Sequence, residues 1–295
     1  MKKYVVAVSG GVDSMVLLDM MAKKMPPESV VVAHFDHGMR PDSRDDALFV
    51  ADAAARYGLD FEMRREELGA KTSEEVARAR RYEFLWGVAK KHHATLVTAH
   101  HLDDLVETVA INLTRGTGWR GLAPFSHDIF RPLIAMEKQE LIAYARDNNL
   151  AWHEDSTNQT DAYLRNRIRR KAHGLPLETK RELLALYARQ RELRLEVEQL
   201  VKAQLADGQL AKEHQAKKTS TKKVSANDSQ AYARYRFVQV PTVVALEYLY
   251  AITEAKLTRP QMQRALHAIK VAQPGTVFQA GNGVQFHFST RHFRL

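Results

Sequence analysis

The chain has 295 residues, with 44 Lys and Arg against 35 Asp and Glu and a formal net charge of +9, a balance that suits a polyanionic partner or a solvated basic surface. It contains no cysteine, which excludes disulfides, thiolate-ligated zinc, iron–sulfur clusters, a cysteine nucleophile and sulfur transfer through a protein persulfide. No apolar stretch is long enough to span a bilayer and no signal-peptide pattern opens the chain, so a cytoplasmic protein without a membrane partner is expected.

Tyr4–Val8 reads as a buried β-branched strand and Ser14–Lys24 as the helix after it, with SGGVDS between them. Gly10 and Gly11 allow a tight turn that brings backbone N–H groups close to an anion. The hydroxyls of Ser9 and Ser14 can donate to phosphate oxygens, and the positive end of the following helix adds attraction. The loop lacks the lysine of a Walker loop, G-x-x-x-x-G-K-[ST]. Asp13 would repel phosphates unless a divalent cation lay between, so Mg²⁺ is expected to bridge Asp13 and the phosphates. The alternative is a strand–turn–helix corner whose glycines serve packing alone.

Ser29–His34 is a second strand, followed by His34, Asp36, His37 and Arg40 in AHFDHGMR. Successive residues of a strand point in opposite directions, so these four cannot all converge on one metal without a special loop. Substrate and nucleotide contacts fit better, with Asp36 able to take an ammonium and Arg40 an anion. A solvated loop is the plain alternative. A helix over Asp45–Tyr57, a strand over Leu59–Met63, a helix over Glu74–His92, a strand over Thr95–Ala99 and a helix over Asp103–Leu113 follow. This alternation predicts an α/β fold, a parallel sheet with helices on both faces. Ligands of such sheets lie beyond the carboxyl ends of the strands, where Ser9–Ser14, His34–Arg40 and His100–Glu107 gather.

In AHHLDDLVET, Asp103 or Asp104 can cap the helix, and Asp104 and Glu107 share one of its faces. An acidic pair there can hold Mg²⁺ or a cationic substrate, or simply favour the first helical turn. RGTGWRGL carries Arg115 and Arg120, suited to neutralising charge on phosphates, and Trp119, which can stack on a base. Beyond about Tyr163, LRNRIRRK is intensely basic and reads as a phosphate-tracking segment or a solvated helix face. Leu177–Gln204 has a helical Glu–Arg–Leu pattern, and the polar, lysine-rich stretch after it reads as a linker. Two helices and short strands around a Gly-Asn-Gly turn close the chain. The expected organisation is a catalytic domain over 1–175, a helical connector and basic linker over 176–233, and a small α+β domain over 234–295.

SGGVDS after a strand resembles the signature of the PP-loop (N-type) ATP pyrophosphatases, a Rossmann-like fold in which a missing Walker lysine is expected. Five blocks in order, HFDHGMR, AHHLDDLVET, RGTGWRGL, IFRPLI and WHEDSTN with YLRNRIR, narrow the resemblance to the tRNA(Ile)-lysidine synthetases. It runs to about residue 175 and is weaker beyond. The chain is expected to lack the further C-terminal domain of longer members. The resemblance implies ATP-dependent attachment of free L-lysine to the first anticodon cytidine of an isoleucine tRNA with anticodon CAU, through an adenylated intermediate, with release of AMP and pyrophosphate.

It also implies roles. Ser9, Gly10, Gly11, Val12, Asp13, Ser14 and His34 would bind ATP, and Asp13 the Mg²⁺ ion. Asp36, Asp104 and Arg115 would be catalytic, and Asp36, Glu107 and Glu140 would bind lysine. Arg120, Arg165, Arg167, Arg169 and Arg170 would bind tRNA, and a homodimer is compatible with the sequence. A tRNA-thiolating PP-loop enzyme would need the cysteines this chain lacks. A glutamine-dependent synthetase would need an amidotransferase partner. A tRNA-binding protein with a retired nucleotide site is the non-catalytic alternative.

Overall fold

The computed structural model describes residues 2–38, 43–69, 72–153, 168, 169, 172, 174–216 and 231–295. They fall into two units, Met1–Arg191 and Glu192–Leu295.

In the first unit, KYVVA forms β1 (Lys3–Ala7) and leads through the glycines into α1 (Val12–Lys24). The run VVVAHFD forms β2 (Val30–Asp36), buried along its whole length. Next come α2 (Ser43–Arg56), β3 (Asp60–Arg65), α3 (Glu74–Lys91), β4 (Ala94–Val97), α4 (Leu102–Thr114), β5 (Ile129–Phe130) and α5 (Lys138–Asp147). The strands form one sheet in the order β3-β2-β1-β4-β5, and every pairing is parallel. Strand order therefore reverses at β1, which puts the crevice for a ligand beyond its carboxyl end. There lies SGGVDS.

Alternation along the strands builds two cores. Val6, Val30, Val32 and Val97 pack with Val16, Leu17 and Leu18 of α1 and with Leu141 and Ala145 of α5. Val5, Val31, Ala33 and Phe35 face the other way, against Phe84, Leu85 and Val88 of α3. Burying each such side chain contributes about 1.5–3 kcal/mol, and because both faces are covered the strands read as unbroken apolar runs. A parallel sheet with helices on both faces is thus present, as the sequence predicts. The elements shift slightly from expectation. β2 runs on to Asp36, and α1 begins at Val12 because Gly11, in extended conformation, serves as its N-cap.

α6 (Leu177–Ala216) continues past Gln204 into the stretch read as linker, since Ala, Gln, Lys and Glu are all strong helix formers. Residues 217–230 of that stretch lie outside the described residues.

In the second unit, β6 (Ala231–Ala233) precedes α7 (Arg234–Val238), α8 (Thr242–Ile252) and α9 (Arg259–Val271). β7 (Val277–Gly281), β8 (Val284–Phe288) and β9 (His292–Arg294) complete an antiparallel sheet in the order β6-β9-β8-β7. Asn282 and Gly283 link β7 to β8 with φ of 51° and 76°, the positive values that a two-residue hairpin turn needs. Phe237, Phe286 and Phe293, each 0–1% exposed, centre a core with Leu249, Leu266 and Ile269. Among the described residues, no helix is long and apolar enough to cross a membrane.

Candidate active site

The phosphate loop is held by its own side chains. Gly10 has φ of +92°, a conformation that L side chains rarely adopt, and it lets the chain turn from β1 into α1. Ser14, buried in the first turn of α1, donates its hydroxyl to Gly11 O (2.8 Å) and accepts from Ser9 N–H (3.1 Å). Ser14 thus shapes the loop, while Ser9 is exposed. Gly10 O accepts from the backbone N–H of His153 (3.0 Å), whose ring stacks on Phe49 and pairs with Asp46 (2.5 Å). His153 is therefore tied to the loop from a distant part of the chain. The rest of WHEDSTN lies outside the described residues.

Beside the loop stands a network of acids and bases. α4 begins at Leu102, and Asp104 Oδ2 accepts from His101 N–H (3.1 Å) at its start. His101 Nε2 lies 3.8 Å from Asp13 Oδ2 and 3.5 Å from Asp104 Oδ2, so these two acids converge on one imidazole. Lys138, the first residue of α5, places its Nζ 2.7 Å from Asp13 Oδ1. Its backbone N–H donates to Asp103 Oδ2 (2.8 Å). Lys180, 4% exposed, bridges Asp103 (2.6 Å) and Glu137 (2.7 Å). Burial alone would raise the Asp103 pKa, but Lys180 and the Lys138 N–H outweigh it and hold the carboxyl below its ordinary value.

Asp36, 4% exposed, ends β2 and accepts from Gly38 N–H (2.8 Å) and Arg65 Nη1 (2.5 Å). Burial pushes its pKa up, yet the Gly38 N–H, Ser43 and the Arg65 charge outweigh burial and hold it low. Such a carboxylate is a good anchor for a cation and a weak base. His34 Nδ1 lies 2.8 Å from Val8 O, to which it donates as a neutral ring. Burial lowers its pKa, and the remaining nitrogen, Nε2, is a buried acceptor with no hydrogen-bond partner among the described residues.

Glu107, 2% exposed on α4, accepts from Arg169 Nε (2.6 Å). Glu140 caps its own helix, accepting from Glu137 N–H (2.7 Å), and is exposed. Arg115 is exposed at the C-cap of α4, about 16 Å along the helix axis from Asp104 at 1.5 Å per residue. Arg120 stacks over Trp119, 4.8 Å from the ring centroid. Arg40, Arg165, Arg167 and Arg170 lie outside the described residues. The fold thus gathers Asp13 and Asp104 beside the loop, leaves Arg115 at the far end of α4, and engages Glu107 and Glu140 in partnerships of their own.

Lys138, Lys180 and Arg65 lie outside the five blocks of the sequence, while His153 lies inside WHEDSTN. Each acts on residues far away in the chain, and a lone Lys, Arg or His carries no spacing signal. IFRPLI, just upstream of Lys138, is the nearest pointer to it.

Among the described residues, no group of three or more His, Asp or Glu side chains is arranged to hold a metal ion. Asp13 already attracts a cation, the Lys138 ammonium, and it borders an exposed hydroxyl and a helix N-terminus. Of these only the Asp13 carboxylate and the hydroxyl are oxygen donors, and a Mg²⁺ ion held there would take its other oxygens from phosphates and water.

Residues 1–175 match the family model described as PP-loop domain. The tRNA(Ile)-lysidine synthase of Thermotoga maritima is 40% identical over 178 residues, 56% of this chain and 43% of the relative. That of Enterococcus faecalis is 41% identical over 185 residues, 59% and 40% of the two chains. That of Thermus thermophilus is 39% identical over 208 residues, 68% and 41%. The matches thus span less than half of these relatives' own length. Among solved structures, the U34-tRNA thiolase NcsA from Methanococcus maripaludis superposes with a TM-score of 0.53 at 17% identity, covering 65% of this chain and 71% of that one, a likeness of fold. Because that match takes in residues 1–175, more than half of the chain, the chain belongs to the PP-loop domain family.

Proposed function

We propose that the chain joins lysine to the 2-position of the first-anticodon cytidine of an isoleucine tRNA with anticodon CAU, making lysidine at the expense of ATP. The observation that carries this reading is the 39–41% identity, over 178–208 residues, to enzymes named tRNA(Ile)-lysidine synthase.

The chemistry runs in two displacements. The cytidine 2-oxygen attacks the α-phosphorus of ATP and pyrophosphate leaves. The ε-amine of lysine then attacks C2, and the oxygen departs with AMP. Because adenylation turns a poor leaving oxygen into a good one, the protein mainly positions the reactants and screens charge. The Gly10–Gly11 backbone, the Ser9 hydroxyl and the N-terminus of α1 cradle the phosphates, and the Ser14 hydroxyl keeps that backbone in shape. His34 Nε2, a neutral acceptor, takes a donor of the nucleotide, such as the adenine amine or a ribose hydroxyl. A Mg²⁺ ion held by Asp13 and the phosphates would offset their mutual repulsion.

Asp36, kept anionic, anchors an ammonium of lysine in competition with Arg65. Asp104, partly exposed, is the carboxylate best able to accept the proton that the attacking amine loses. Arg115 and Arg120, with the basic segment 164–171, meet the tRNA backbone.

Labelled lysine, ATP and Mg²⁺ are supplied with three transcripts: isoleucine tRNA with CAU, the same tRNA with the first anticodon C changed to U, and methionine tRNA. Label in the first alone, with AMP and pyrophosphate released, is the expected result. Release of AMP with every transcript and label in none would sink the choice of nucleophile.

A further inference from the structure

We propose that Arg131, Arg78 and Arg191 form a second phosphate site, apart from SGGVDS, that binds a phosphate of the tRNA backbone. The inference rests on the reading that the substrate is a tRNA. Arg131 follows β5 and is 9% exposed. Its Nη1 donates to Ser126 O (2.8 Å) and Ile129 O (3.0 Å), while its Nε is buried with no hydrogen-bond partner among the described residues. Holding the 126–129 turn accounts for Nη1 and leaves Nε unexplained. Buried charges are ordinarily paired, yet among the described residues no carboxylate pairs with Arg131, Arg78 or Arg191.

Three parts of the fold bring these cations together. Tyr187 and Arg191 stand one turn apart on α6, and both meet the segment before Arg131. The Tyr187 ring meets Phe125 edge-on, with 6.0 Å between centroids, and Arg191 Nε donates to His127 Nδ1 (2.9 Å). The Arg131 guanidinium lies over the same Phe125 ring, 4.7 Å from its centroid. On α3, Arg78 lies 4.9 Å from the centroid of the Tyr82 ring, which packs on the core that contains Ile129. Burial lowers the Arg131 pKa, Tyr187 and Tyr82 oppose that, and the charges of Arg191 and Arg78 lower it further. Two cations thus press on a third, and a bound anion offsets their repulsion. Asp128, the acid of this segment, is exposed and accepts from Ser126 Oγ (3.3 Å). A guanidinium fork matches phosphate oxygens, and the exposed Arg78 and Arg191 can reach a chain too large to enter a cleft. Phe125 also meets the ring of His100 (5.1 Å between centroids), the neighbour of His101, so the site adjoins the acid network.

The test uses the whole chain in a filter-binding salt series with isoleucine tRNA and with its isolated anticodon stem-loop, beside calorimetry with ATP. Arg78 and Arg191 are exposed, so the double variant R78A/R191A should keep the fold and the ATP affinity of wild type. It should bind both RNAs about tenfold more weakly, with a salt slope shallower by roughly 0.7 for each lost contact to single-stranded RNA. R131K keeps the charge and loses the fork, so its RNA affinity should fall while the salt slope stays. Unchanged RNA affinity and slope in R78A/R191A would overturn the proposal, and so would an equal loss of ATP affinity. Inorganic phosphate separates the two sources of the anion. If it raises the Tm of wild type but not of R78A/R191A, and RNA affinity is unchanged, the site takes a free anion and the backbone assignment falls. A wild type that binds RNA through these arginines yet incorporates no labelled lysine would sink the ligase reading and leave this site standing.

Discussion

His34 and Asp36 stand two residues apart at the end of β2, and burial favours the neutral form of each. For His34 nothing outweighs burial, so its folded pKa lies below the ordinary 6.5. For Asp36 burial is outweighed by the Gly38 N–H, Ser43 and Arg65, and its folded pKa lies below the ordinary 3.8. The pH windows follow from these directions. Below 6.5 the unfolded chain protonates this histidine while the folded chain resists, so stability falls as pH drops from 6.5 towards the folded pKa. The contribution of Asp36 is fully present above 3.8 and is lost only as pH falls through its lower, folded value. Urea unfolding between about pH 7 and pH 5 should therefore show a loss of stability on acidification that H34N reduces and D36N does not. Asparagine keeps a donor for Val8 O without the titration, so an undiminished slope in H34N would refute the assignment.

Helix α1 carries the loop, and one buried residue within it ties it to the elements on either side. Asp19, 2% exposed, accepts from Tyr57 OH (2.6 Å) just after α2, from Tyr144 OH (2.7 Å) on α5, and from Lys23 (2.9 Å). Burial opposes its charge, but these donors outweigh burial and hold its pKa below the ordinary value. D19A strands two phenol hydroxyls without their acceptor and should cost about 2–4 kcal/mol in urea unfolding. D19N keeps one acceptor and the side-chain volume and should cost less; equal losses would mean that space rather than polarity sets the penalty. This hub shows why the sequence is only partly readable. The β-branched runs of β1 and β2 and the glycines behind them announce a covered parallel sheet and its loop, because those signals are local. Asp19 within LLDMM looks like any helical aspartate, and its tyrosines stand 38 and 125 residues away. β5 has two residues and no detectable period, though α5, which it precedes, delivers Lys138 to the site. At the site, SGGVDS, Asp36 and Asp104 are legible by position after a strand, whereas the partners that tune them arrive from other elements.

At the scale of the molecule, the two units have separate hydrophobic cores. The core around Phe286 draws on residues 197–295, and the sheet cores of the first unit on residues 4–152. Their charges differ in use as well. Residues 231–295 carry eight Lys and Arg against two Asp and Glu, an excess suited to the phosphate backbone of a tRNA rather than to a small substrate. Phe286 is fully buried, with Phe293 5.5 Å away between ring centroids, so F286A leaves a cavity worth about 3–5 kcal/mol. Because, among the described residues, the hydrogen bonds of the phosphate loop come from the first unit, ATP affinity should survive the substitution. Affinity for isoleucine tRNA should fall, and its dependence on salt should become shallower as cations leave the interface. Calorimetry with ATP and a filter-binding salt series with the tRNA would separate the two effects. Loss of ATP binding would mean that the cores are energetically joined, and unchanged tRNA affinity and salt slope would remove the second unit from the tRNA interface.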